Sequence, residues 1–262
     1  MSRLTVAVVV TRLQAGAGGV ALRGALALDP DRYQATIIAG DTDGLADADG
    51  SGDQLLSRAV EAGLRVGSLP ELVSPISPRQ DLRCLSLLTE HLAQVGYDVV
   101  HTHSAKAGAL GRLAAERAGT PRVVHTFHGF PFHEFQSRAR RSAYVGIERY
   151  LGRRTDVFLA VGGAVAAEAV RRDIAAPERV RVINPAIDWP DAQASAAVRD
   201  AARRRLGVPV GCKVVGTVGR VDYQKAPESF VDAIAALDRP DVYAVWIGDG
   251  PLRPAWAVPD GG

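Results

Sequence analysis

The sequence predicts an α/β protein: a doubly wound parallel sheet, followed by the start of a second, smaller unit of the same kind. Three observations lead there. Short apolar runs alternate with Ala/Leu/Arg-rich stretches of helical length. Most of the apolar runs are continuous rather than alternating, which means that both faces of each strand are covered. A stretch rich in prolines and small residues, Asn184–Ala197 (NPAIDWPDAQASAA), interrupts the pattern before it resumes. Composition agrees: 262 residues, 47% hydrophobic and 23% charged, suit a globular chain and exclude a disordered or collagen-like one. A net charge of +2 is no footprint for nucleic acid. Two cysteines, Cys84 and Cys212, exclude a disulfide framework or a cysteine-built zinc site, and suit a reducing, cytoplasmic compartment.

Leu4–Val10 reads as the first buried strand. It is too short for a signal peptide, Arg12 follows it closely, and no convincing small-residue cleavage site comes after it. No run reaches the roughly 18 apolar residues of a membrane helix. The further strands are Gln34–Ala39, Leu64–Leu69, Asp98–Thr102, Arg122–Thr126, Asp156–Val161 and Val180–Ile183. Helices fall between them at Gly19–Leu28, Asp53–Ala62, Pro78–Val95, Ala105–Ala118, Gln136–Gly152 and Ala164–Asp173. Asp41–Asp53 is rich in Asp and Gly but lacks the glutamate that closes a calcium loop, so it reads as a plain loop. After the interruption come a helix at Ala197–Leu206, a strand at Lys213–Val218, a helix at Pro227–Leu237 and a strand at Val242–Ile247. The expected domains are 1–183, a linker with the first helix over 184–207, and 208–262.

Four features carry chemistry. Gly16-Ala-Gly18-Gly19-Val-Ala21 fits the G-x-G-x-x-A dinucleotide fingerprint, but Thr11–Ala15 intervene between strand and glycines. A nicotinamide enzyme is therefore the less favoured reading, and contact with substrate the preferred one. His101, His103, His125, His128 and His133 lie at or beyond the C-terminal ends of two predicted strands, the edge where open α/β sheets bind ligands. Without a nearby acid cluster they make a poor metal signal, and His128 is the best placed for hydrogen bonding or acid–base work. Arg220 and Lys225 sit in a strand-to-helix turn, where a guanidinium fork and an ammonium suit a diphosphate. Arg138, Arg141, Arg149 and Arg153 fall close to one face of a predicted helix. They read either as a solvated face or as contacts to anionic lipid.

The runs Val100–Ala115 (VHTHSAKAGALGRLAA) and His125–Phe135 (HTFHGFPFHEF) resemble the N-terminal domain of glycosyltransferase family four, in its bacterial polysaccharide branch. Val218-Gly-Arg220 through Lys225 and Ile247–Arg253 resemble the start of the partner domain. The resemblance implies a GT-B fold of two Rossmann-like domains across a cleft. It implies transfer of a sugar, with retained configuration, from a nucleotide sugar to a polysaccharide or lipid-linked acceptor, with no cofactor and no metal. By position it makes His128 the catalytic-cleft histidine and gives the donor diphosphate to Arg220 and Lys225. Gly16, Gly18, Gly19, His103 and Lys106 then line the acceptor side, and the work is placed at the inner face of the plasma membrane.

The family's pair of glutamates spaced eight apart is missing from this sequence, and Pro254–Gly262 reads poorly as the helix that belongs there. The expectation is a truncated enzyme whose second sheet exposes apolar edges, with reduced solubility. A non-catalytic acceptor-binding remnant is the alternative.

Overall fold

A computed structural model describes residues 3–40, 51–133, 135–187 and 195–253. The Asp/Gly-rich stretch over 41–50, most of the interruption (188–194) and the tail (254–262) lie outside the described residues. The chain divides into two compact units, residues 1–187 and 188–262.

The first unit holds seven strands: β1 (Leu4–Val10), β2 (Tyr33–Ala39), β3 (Arg65–Ser68), β4 (Val99–His103), β5 (Arg122–Phe127), β6 (Val157–Ala160) and β7 (Val180–Val182). Their order is β3-β2-β1-β4-β5-β6-β7, with every pairing parallel. The connecting helices are α1 (Ala15–Leu26), α2 (Ser51–Glu61), α3 (Pro78–Val95), α4 (Ala105–Ala118), α5 (Arg138–Gly152) and α6 (Gly163–Arg171). A 3-10 turn at Pro177–Arg179, which the sequence reading does not contain, precedes β7. β1 shows why both faces are apolar. Val6, Val8 and Val10 pack with Ala21, Leu22 and Ala59 of α1 and α2, while Ala7 and Val9 pack with residues of α3 and α4.

Two devices set the register. Asp98 and Asp156 each stand one residue before a strand. Asp98 Oδ2 accepts from Thr5 N at 2.7 Å and Thr5 Oγ1 at 2.9 Å, and Asp156 Oδ2 accepts from Val123 N at 2.7 Å. Each carboxylate thus takes an N–H at the start of the neighbouring strand, and the Thr5 bonds hold the Asp98 carboxyl below its ordinary range. The second device is the seat of α4. A Cβ on Gly108 would lie 2.5 Å from His125 Cε1, and one on Gly111 would lie 2.6 Å from Thr102 Cγ2. Small residues let this helix sit directly on β4 and β5.

α4 also carries the largest fully buried side chain. Arg112 Nη2 meets Glu148 Oε2 of α5 at 2.9 Å, and its Nε donates to Gly108 O at 2.7 Å. Burial lowers the Arg112 pKa and Glu148 opposes that shift. The order β3-β2-β1-β4 reverses chain direction across the sheet between β1 and β4, so the ligand crevice of such a sheet opens beyond Val10 and His103, which are register partners.

The second unit contains α7 (Ala196–Arg205), β8 (Lys213–Val218), α8 (Pro227–Leu237) and β9 (Val242–Ile247). β8 and β9 pair in parallel, from Lys213↔Val242 to Val218↔Ile247. Ser195 caps α7 by accepting from Val198 N. The turns after the two strands are knitted together: Trp246 Nε1 donates to Gly219 O and Val221 N to Asp249 O, both at 2.9 Å. Gly248 has φ +147, and a Cβ there would lie 2.0 Å from Gly219 O, so this turn requires glycine. Val218 is 79% and Ile247 47% exposed at the ends of these paired strands. Both cysteines are free thiols, and no described helix is long and apolar enough to cross a membrane.

The buried ion pair gives a stability prediction. Glu148→Ala leaves a buried guanidinium uncompensated and costs about 3–5 kcal/mol. The double change Arg112→Met with Glu148→Leu removes both charges and costs much less. Urea unfolding followed by circular dichroism checks both; equal losses would remove the pair from this role.

Candidate active site

The loops at the C-terminal edge of β1, β4 and β5 bring together part of what the sequence reading singled out. His101 and His103 share one face of β4, their ring centroids 4.2 Å apart. His128 follows β5, and its Nε2 lies 3.1 Å from His103 Nδ1. His101 Nε2 is 2.7 Å from Thr126 Oγ1. The loop carrying His128 is held by its aromatic residues: Phe130 packs tilted against Phe127 at 5.0 Å and stacks on Phe132 at 4.8 Å, and Phe127 lies parallel to Phe158 at 5.3 Å. The alternation of Phe with other residues after His128 therefore serves to seat it.

The other two histidines do not join them. His125 points to the opposite face of the sheet, under Gly108, with its Nδ1 2.8 Å from Thr102 Oγ1. His133 is exposed against Phe135. Burial drives the pKa of His101 down to about 4 and that of His103 and His125 well below 6.5, with the neighbouring histidines adding to it. Burial alone lowers His128, which is half-buried. The cluster is neutral.

The sequence reading misses a hydroxyl pair at the same edge. Thr11 Oγ1 and Ser104 Oγ lie 2.8 Å apart, and Ala107 N donates to Thr11 Oγ1 at 3.2 Å. Ser104 has φ +64, a rare conformation for a residue with a side chain, and does not cap α4. Thr11, the residue directly after β1, supplies the cap instead. No local sequence signal marks this pairing, because the two residues are 93 positions apart.

The structure adds detail at three further places. Gly16, Gly18 and Gly19 lie inside α1, which begins at Ala15 rather than Gly19. Gly18 N donates to Gln14 O in its first turn. Of the three, only Gly18 is demanded by backbone, since a Cβ there would lie 2.7 Å from Leu13 C; Gly16 faces open space. Lys106, expected on the acceptor side, has its Nζ paired with Asp81 Oδ1 and donating to Pro75 O, each at 2.5 Å, tying α3 and the segment before it to α4. The arginines of α5 do not form one open face. Val145, at the centre of their arc, is 7% exposed, and Arg149 is bound to Arg172 O and Asp173. Arg138 and Arg153 are exposed.

In the second unit Arg220 and Lys225 share a turn built on Asp222. The Asp222 carboxylate is 13% exposed; Oδ2 pairs with Arg220 at 2.9 Å and Oδ1 accepts from Lys225 N at 3.1 Å. The Arg220 side chain is 70% exposed, and α8 begins at Pro227. The turn therefore presents a guanidinium and an ammonium beside a helix N-terminus, a charge arrangement suited to phosphate oxygens. Among the described residues, no group of three or more His, Cys, Asp or Glu is placed to hold a metal ion.

The neutral histidines fix the sign of a pH effect. Unfolded imidazoles take protons near pH 6.5, while folded His101 resists until about pH 4 and His103 and His125 titrate well below their ordinary range. Stability, full above pH 6.5, falls as pH drops from there toward 4. Urea midpoints measured across that window check this, and His101→Phe flattens the dependence.

The glycosyltransferase family 4 profile matches residues 15–189, more than half of the chain. The UDP-Gal:alpha-D-GlcNAc-diphosphoundecaprenol alpha-1,3-galactosyltransferase of Escherichia coli is 30% identical over 201 residues, covering 75% of this chain and 52% of that protein. The D-inositol 3-phosphate glycosyltransferase of Thermobispora bispora is 35% identical over 185 residues, covering 64% and 42%. The chain thus spans about half the length of these relatives. In structure, it resembles Anabaena Alr3699/HepE in complex with UDP and glucose, with a TM-score of 0.69 at 18% identity, over 97% of this chain and 63% of that one. The lipopolysaccharide outer core galactosyltransferase WaaB gives a TM-score of 0.59 at 14% identity, over 96% and 63%. These likenesses establish the GT-B type of fold, and the sequence match establishes that the chain belongs to glycosyltransferase family 4.

Proposed function

We propose that this protein acts in glycosyl transfer from a nucleotide sugar, a uridine diphosphate sugar being the favoured class, to a saccharide or lipid-linked acceptor. The observation that carries the reading is the Arg220–Asp222–Lys225 turn in a chain of this family. In such a transfer the bond from the anomeric carbon to the diphosphate oxygen breaks, and a bond from that carbon to an acceptor hydroxyl oxygen forms. Negative charge grows on the departing diphosphate. Arg220 supplies two N–H groups in a fork, Lys225 a point charge, and the start of α8 a positive end. Asp222 holds the turn in shape while neutralising part of one cation. The C-terminal edge of the first unit then takes the acceptor, with His128 at the reacting sugar. A relative bearing the name of a diphosphoundecaprenol galactosyltransferase supports a lipid-linked acceptor, and structural neighbours solved with UDP support the nucleotide.

Contact with an anionic membrane surface is a finer part of this proposal. It rests on exposed arginines at the two ends of α5, Arg138 in its first turn and Arg153 just after its last residue. Co-sedimentation with vesicles containing anionic lipid tests it; equal binding to neutral vesicles refutes it.

Calorimetric titration with UDP tests the central reading. Binding is expected, and Arg220→Ala or Lys225→Ala is expected to weaken it on the order of tenfold each, more at low than at high salt. Absence of binding by the native chain overturns the donor site and leaves the acceptor-binding reading. Binding of a nicotinamide dinucleotide in place of UDP would favour a redox enzyme.

A further inference from the structure

The histidine pair poses a proton-counting problem with few solutions. His103 is 2% exposed. Its Nδ1 faces His128 Nε2 at 3.1 Å, and its Nε2 is buried with no hydrogen-bond partner among the described residues. Burial keeps both rings neutral, so a single proton lies on the line between Nδ1 of one and Nε2 of the other. In one arrangement His128 donates. His103 then carries its own proton on Nε2, as a buried N–H with no acceptor. In the other, His103 donates from Nδ1. Its Nε2 is then a bare lone pair, and His128 carries its proton on Nδ1.

Imidazole in water favours protonation at Nε2, which leans toward the first arrangement. The buried site leans the other way. A dry N–H without an acceptor forfeits the full desolvation of a donor, and orphaned N–H groups are rarer in proteins than under-satisfied acceptors. His101 offers no relief, because its Nε2 is engaged with Thr126 and its ring lies tilted against His103. The nearby hydroxyls of Thr11 and Ser104 are paired with each other.

We infer that His103 is a positioning residue: it donates from Nδ1 to His128 Nε2 and so fixes His128 as the tautomer protonated at Nδ1. The consequence for function rests on the transferase reading. His128 then meets the substrate as a neutral N–H donor, which takes a sugar hydroxyl or phosphate oxygen, and not as a base that removes a proton. Proton removal from the acceptor hydroxyl falls to another group, such as the departing diphosphate, which gains negative charge as the acceptor oxygen loses its proton.

The test needs neither donor nor acceptor. In the full chain labelled with nitrogen-15, long-range proton–nitrogen correlation above neutral pH distinguishes a protonated from a bare ring nitrogen. The His128 signals are assigned by their loss in His128→Asn. The expected pattern for His128 is a protonated Nδ1 and a bare Nε2. His103→Asn places an amide N–H where Nδ1 stands and is expected to keep that pattern; His103→Leu is expected to shift His128 toward the Nε2–H form. A native spectrum with the proton on His128 Nε2 overturns the inference without any variant. A folded His103→Leu that leaves the His128 tautomer unchanged overturns the positioning role. Loss of UDP binding, by contrast, overturns the transferase reading and leaves the tautomer standing.

Discussion

The close seat of α4 on β4 and β5 is the constraint on which the rest of the first unit depends. Two glycines one helical turn apart, Gly108 and Gly111, bring backbone against His125 and Thr102 at distances where no Cβ fits. That approach has consequences in both directions. Inward, it leaves no space for water over His125, so this imidazole is buried, neutral and bonded to Thr102. Outward, it places Arg112 in the gap between α4 and α5, where only an ion pair makes a guanidinium tolerable, and Glu148 supplies it. Glycine is a costly residue inside a helix, and here the packing it permits offsets that cost.

The same seat governs the site, because α4 starts where β4 ends. The turn between them is a single residue, Ser104, held at φ +64. Ser104 makes no side-chain cap, and the cap comes from Thr11, the residue directly after β1. The end of β1 and the start of α4 are therefore locked together at the sheet's switch point, and His103 is fixed one residue away. His128 needs a separate anchor, since it stands on a longer loop. Phe130 and Phe132 provide it by folding back onto Phe127.

Much of this was legible in the sequence, for physical reasons. A parallel sheet covered on both faces favours continuous apolar strands, and all seven strands of the first unit overlap the runs expected from sequence, although β3 (RVGS) and β7 (VRV) at the sheet edges are not continuous. The shared face of His101 and His103 follows from strand geometry. The start of α1 was misplaced because glycines usually halt a helix; here Gly18 continues it while admitting Leu13 at backbone distance. Lys106 was placed on the acceptor side by the family resemblance alone. Only the fold brings Asp81 and the Pro75 carbonyl to it. The α5 arginines were grouped by helical angle, which says that residues share an arc but not which way the arc faces. Val145, in the middle of that arc, turns it toward the core.

The two units handle charge in opposite ways, and the contrast bears on chemistry. In the first, polar groups are drawn into a dry edge where imidazoles stay neutral and hydrogen-bond direction is set by which nitrogen keeps its proton. In the second, Arg220 stays largely in water with its carboxylate partner half hidden beneath it. A water-exposed guanidinium must shed part of its hydration when it meets a phosphate, and its field is strong only once that water is excluded. A neutral N–H donor has no such dependence, since its value lies in direction rather than charge. The proposed transfer of a sugar from a diphosphate calls for both. The leaving group requires countercharge that appears with binding, and the sugar hydroxyls require fixed donors that do not compete for its proton.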